Sequence, residues 1–117
     1  MARLTTHVLD TAHGRPAAGL ALTLSRHDGA RYVEVKRALT NADGRCDAPL
    51  LEGEALSVGR YRLAFGIAAY FRACGIALPD PPFLDHVTID FGIADALAHY
   101  HVPLLVSPWS YATYRGS

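Results

Sequence analysis

Apolar and polar residues alternate with a period of two along most of this chain, which is the pattern of strands that bury one face and wet the other. Leu20, Leu22 and Leu24 alternate with Ala21, Thr23 and Ser25, and the turn pair Asp28-Gly29 leads into residues 32–36, where Val33 and Val35 alternate with charged neighbours. That combination predicts a hairpin. Tyr61, Leu63 and Phe65 share one face while Arg60 and Arg62 take the other, and Val87, Ile89 and Phe91 repeat the pattern against His86, Thr88 and Asp90. A short first strand is predicted over residues 4–10, with Thr5, His7 and Leu9 on one side and Leu4, Thr6 and Val8 on the other. Two last strands fall near residues 99–106 and 111–114, split by Ser107-Pro108. The one helical segment, residues 67–74, is rich in Ala and is closed by Gly75 as a C-cap. Many short strands with regular turns predict an all-β fold, a two-sheet sandwich in which each sheet hides its apolar face against the other.

Composition adds bounds to this picture. Length and an apolar content of half the chain suit one folded domain over residues 1–117. Eleven basic side chains balance eleven acidic ones, so there is no electrostatic footprint for nucleic acid or for an anionic membrane. The longest nearly apolar run, residues 63–71, is too short to span a bilayer, and residues 1–10 lack the apolar stretch of a secretory signal. A cytoplasmic location is therefore expected. Cys46 and Cys74 follow no metal or redox spacing and are read as reduced structural thiols.

Chemistry is sought first among six histidines, since imidazole exchanges protons near pH 7. His13 and His27 sit in turns and His86 on a polar strand face, which marks them as solvated surface residues. His99 and His101 are two apart on a predicted strand and would project together with Leu105. Such a pair can ligate zinc, with His7 as a third ligand, so a metal-dependent hydrolase is one reading. Arg45 follows the turn Asp43-Gly44. Pro103 lacks a backbone donor and implies a bulge or an unpaired position in its strand.

The wording around these residues narrows the choice. Thr6-His7-Val8-Leu9-Asp10-Thr11, followed by Gly14, Pro16 and Ala17, resembles the opening signature of the transthyretin-like family. His99-Tyr100-His101-Val102-Pro103-Leu104-Leu105-Val106-Ser107-Pro108, then Ser110-Tyr111 and Tyr114-Arg115-Gly116-Ser117, resembles the closing signature of that family's enzyme branch, the 5-hydroxyisourate hydrolases. Residues 40–45, 59–63 and 70–71 fit in the expected order, so the similarity covers nearly the whole chain. Ala112 departs from it where the closing motif has a small hydroxyl residue, as does the loop 77–85.

This resemblance implies a transthyretin-like sandwich of about eight strands with one short helix, assembled as a homotetramer with active sites between dimers. It implies 5-hydroxyisourate as substrate and hydrolytic opening of its six-membered ring, with no metal or organic cofactor. The implied catalytic residues are His7, Arg45, His101 and Ser117, and the implied substrate contacts are His7, Arg45, Tyr114, Arg115 and Gly116. These types suit the reaction: histidines to move protons, a planar guanidinium for the developing oxyanion, and a glycine where backbone must come close. The rival within the same fold is a noncatalytic small-molecule carrier, a branch that lacks the Tyr-Arg-Gly-Ser ending and has no histidines in the places of His7 and His101.

Overall fold

The computed structural model describes residues 2–116. Among the described residues nine strands and one α-helix follow each other as β1 (Arg3–Asp10), β2 (Arg15–Pro16), β3 (Ala21–His27), β4 (Tyr32–Leu39), β5 (Leu51–Glu52), β6 (Gly59–Gly66), α1 (Ile67–Ala73), β7 (His86–Ile93), β8 (Tyr100–Val106) and β9 (Tyr111–Thr113), with a single 3-10 turn at Gly53–Ala55. One sheet runs β2-β1-β8-β9 with β5 paired to β1, and the other runs β4-β3-β6-β7. The expected all-β sandwich is what forms. Its nine strands include β2 and β5, two-residue pieces too short to leave an alternation signal.

Burial follows the alternation closely. Leu4, Val8, Leu22, Leu24, Leu63, Phe65, Val87 and Leu104 are each no more than 2 % exposed and meet between the sheets. Each such side chain contributes roughly 1.5–3 kcal/mol relative to staying in water. β4 is the exception. It lies at a sheet edge, its register with β3 slips between Leu24 and Ser25, and Val33 and Val35 remain 41 % and 50 % exposed.

Gly75 closes the helix as expected, but the helix ends one residue earlier than the expected 67–74 and the C-cap itself is Cys74. Gly75 takes φ 89°, the Gly75 amide donates to Arg72 O at 2.9 Å and the Ile76 amide donates to Phe71 O at 3.1 Å. This pair of bonds is the Schellman closure, which satisfies carbonyls that the last turn would leave unpaired. No helix among the described residues is long and apolar enough to cross a membrane.

The pairing that matters for chemistry is β1 with β8, parallel, in the register Thr5 to His101, His7 to Pro103 and Leu9 to Leu105. It sets an early strand beside a late one. Pro103 needs no bulge: β8 pairs with β9 at Leu104 and Thr113, the bridge of His101 with Gly116 keeps that same register, and Pro103 falls in the gap between. Its carbonyl still accepts the Thr113 hydroxyl at 2.7 Å.

Candidate active site

Alternation along β1 sends Leu4, Thr6, Val8 and Asp10 inward and leaves Thr5, His7 and Leu9 half-buried on the outer face of the sheet. On β8 the same rule sends Tyr100, Val102, Leu104 and Val106 inward, with His101 and Leu105 half-buried outside. The parallel register then brings the two imidazoles together, their ring centres 6.5 Å apart and their planes inclined at 34°. Thr5 stands directly opposite His101, with its hydroxyl oxygen 2.8 Å from Nδ1. That contact engages one ring nitrogen and leaves Nε2 available.

Arg45 arrives from a separate turn. The Asn41 amide donates to Arg45 O at 2.7 Å, and Asn41 Oδ1 accepts from the amides of Asp43 at 2.9 Å and Arg45 at 3.2 Å. Gly44 adopts φ 75° and passes so close to β1 that a Cβ there would lie 2.4 Å from Val8 O. The Val8 amide donates to Gly44 O at 2.8 Å, and the next residue, Arg45, bridges His7. Only glycine satisfies both the left-handed φ and the close approach. Beside this junction Thr5, Thr6, Arg45, Cys46 and Ala48 line a cavity of about 90 Å³.

Electrostatics favour neutral imidazoles. The pKa of His7 is lowered from 6.5 by burial first and by the Arg45 charge second, with the Asp43 backbone and carboxylate opposing. For His101 burial again leads, followed by Arg45 and His7, and the Thr5 backbone opposes. Both are thus unprotonated at pH 7 and ready to accept a proton.

The tail reaches this pair through Gly116. Its amide donates to His101 O at 2.7 Å, and a Cβ there would stand 2.7 Å from His101 Cδ2. The Arg115 guanidinium lies 4.1 Å above the Tyr100 ring and donates to His99 O at 3.1 Å, while Tyr114 is 61 % exposed. Ser117 lies outside the described residues. Four of the residues singled out by sequence, His7, Arg45, His101 and Gly116, therefore meet on one face, and Arg115 anchors the tail on Tyr100.

Two expectations are corrected. β8 begins at Tyr100, so His99 precedes the strand and is exposed instead of projecting with His101. His7, His99 and His101 are not gathered around a common point; among the described residues, the group of three or more donors that is so gathered comprises Asp10, His13 and Cys74. His13 is exposed, as expected, and in addition approaches Asp10 Oδ2 to 2.6 Å through Nδ1. The signal that sequence reading passed over is Thr5, visible as a hydroxyl residue two before His7 on the same strand face.

Known proteins share this arrangement of strands. The family model described as HIUase/Transthyretin family matches residues 4–116. The 5-hydroxyisourate hydrolase of Ralstonia nicotianae is 63 % identical over 117 residues, covering all of both chains. The solved 5-hydroxyisourate hydrolase of Klebsiella pneumoniae is similar at 36 % identity and TM-score 0.82 over the full length of both chains. Sea bream transthyretin, solved in complex with thyroxine, is 28 % identical with TM-score 0.85, over 97 % of this chain and 94 % of that one. With a family model spanning almost its entire length and a full-length relative at this identity, the chain belongs to the HIUase/transthyretin family.

Proposed function

We propose that this protein is a hydrolase that opens the six-membered ring of 5-hydroxyisourate to give 2-oxo-4-hydroxy-4-carboxy-5-ureidoimidazoline, without a cofactor in the reaction. The observation that carries the reading is the convergence of two neutral imidazoles and a guanidinium, drawn from β1, β8 and the 41–45 turn, on one solvent-facing patch. Hydrolysis of a cyclic amide-like bond needs a base for water, positive charge for the oxyanion and a proton for the departing nitrogen. His7 and His101 serve as the proton-transfer pair. Arg45 offers parallel donors and a permanent charge to the carbonyl that becomes an oxyanion. Gly116 lets the tail lie directly on the His101 ring; by resemblance to the family's closing motif, Tyr114 and Arg115 complete the substrate contacts and the hydroxyl of Ser117 joins the catalytic group.

The cavity of about 90 Å³ beside Arg45 is well below the roughly 300 Å³ at which small-molecule pockets begin. A substrate of purine size is enclosed only if another surface faces this patch, which supports a homotetramer with sites between dimers. Two cysteines without a disulfide fit a reducing compartment such as the cytoplasm.

The deciding experiment follows the ultraviolet decay of freshly generated 5-hydroxyisourate. Acceleration well above the spontaneous rate is expected, and an unchanged decay overturns the assignment. The carrier reading is tested in the same cuvette, since saturable binding of the substrate without turnover would support it instead.

A further inference from the structure

One cluster of chemically capable side chains takes no part in the site above. Asp10, the last residue of β1, points to the inner side of its sheet, opposite His7, and is 1 % exposed. Its carboxylate accepts from the His13 amide at 2.9 Å on Oδ1 and from the Tyr70 hydroxyl at 2.8 Å on Oδ2, where His13 Nδ1 also stands at 2.6 Å. The His13 ring stacks on Phe71, with centroids 6.4 Å apart. Cys74 joins from the end of α1, fixed as the C-cap by the closure described above. The donor atoms of Asp10, His13 and Cys74 all lie within 4.8 Å of one another.

We propose that Asp10, His13 and Cys74 form a binding site for a zinc-class divalent cation. A carboxylate oxygen, an imidazole nitrogen and a thiolate are a borderline-soft set that suits zinc or cobalt and disfavours magnesium or calcium. Tetrahedral zinc bonds of about 2.0–2.3 Å place donors roughly 3.3–3.8 Å apart, so the ion fits if the Asp10–His13 pair opens by about 1 Å and the sulfur closes by a similar amount. Such shifts are small for side chains at a turn and a helix end. The His13 side chain is 29 % exposed, which leaves a fourth position open to water.

Charge and proton balance are straightforward. Two anionic ligands meet a dication, and the Arg15 guanidinium, 3.9 Å from the sulfur, faces the same cluster. The Cys74 thiol gives its proton to solvent. A proton on His13 Nδ1 moves to Nε2, so that Nδ1 takes the metal. Tyr70 keeps its place beside the ligand carboxylate, to which its hydroxyl donates at 2.8 Å. The ion would tie the end of β1 and its turn to the helix, on the side of the sheet away from His7, and so would act on stability and leave hydrolysis alone.

Cobalt(II) titration of the metal-free protein provides the test. The expected result is one equivalent per chain, a sulfur-to-cobalt charge-transfer band, displacement of cobalt by zinc, and a higher Tm with zinc but not with magnesium. C74S should abolish the band and H13A should weaken binding at least tenfold, both with unchanged turnover in the absence of metal. C46S and H101N should bind as the wild type does. No saturable band in the wild type, a band that survives C74S, or binding lost in H101N and kept in H13A would each overturn the site. The binding, charge-transfer and Tm readouts do not depend on the hydrolase assignment.

Discussion

His7 and His101 are kept neutral chiefly by half-burial and then by the fixed charge of Arg45, and this has a measurable sign. Both folded values lie below 6.5, so the acid limb of kcat/KM should fall below pH 6.5, and replacing Arg45 by Met should move that limb upward as well as lower the rate. Stability follows the same direction. Between 6.5 and the lower folded values the unfolded chain takes up more protons than the folded one, so the histidines oppose folding as pH drops through that window, and urea midpoints should decline there. Arg45→Lys keeps the charge but loses the parallel donors, with an expected fall in kcat of about 100-fold. Thr5→Val removes the hydroxyl 2.8 Å from His101 Nδ1 at nearly constant volume. It should reduce kcat about tenfold with little change in KM, and Thr5→Ser should restore it; equal losses in both variants would show that the contact only packs the strand.

At the level of elements, the 41–45 turn is the part most exposed to a single methyl group. Gly44→Ala meets a backbone oxygen at 2.4 Å in a left-handed conformation, so the turn has to retreat from β1 and carry Arg45 with it. Expected are a loss of at least about 2 kcal/mol in denaturant unfolding and a larger loss of turnover than stability alone explains. Gly116→Ala, by contrast, crowds the His101 ring at 2.7 Å on an exposed tail and should cut kcat at least about tenfold with a nearly unchanged Tm. How much of this was legible in the sequence depends on the physics of each piece. Strands β3, β6 and β7 announce themselves because buried apolar residues recur at every second position in them, and α1 because Gly75 permits its closure. The slip between Leu24 and Ser25, the exposure of Val33 and Val35, and the start of β8 after His99 arise from inter-strand register, which no local pattern encodes. The Asp10–His13–Tyr70 network was equally hidden, since it joins residues 60 apart by hydrogen bonds and not by periodicity. The site residues His7, Arg45, His101 and Gly116 became legible only through family wording, because each alone has an ordinary structural role.

On the scale of the whole molecule, the candidate site occupies an outer sheet face, and the open side of that face is where a second copy is proposed to sit. Native mass spectrometry should therefore find a tetramer, and substituting the half-buried Leu105 by Arg should reduce both assembly and activity while leaving the monomer's circular dichroism unchanged. A full-sized assembly in an inactive Leu105→Arg variant would mean that this face binds substrate without a neighbour. The parallel seam between β1 and β8 also bears on how the enzyme comes into being. Thr5 and His101 are 96 residues apart, and closing a loop of that length costs about 4 kcal/mol of chain entropy before any contact across it repays the cost. The β3–β4 hairpin of the other sheet is closed by residues 28–31 alone and can form early, whereas the His7–His101 pair has to wait for the last strands to find the first. Turnover should thus be the last property to return in refolding, and a nascent chain still missing residues 100–116 should be folded in part and catalytically silent.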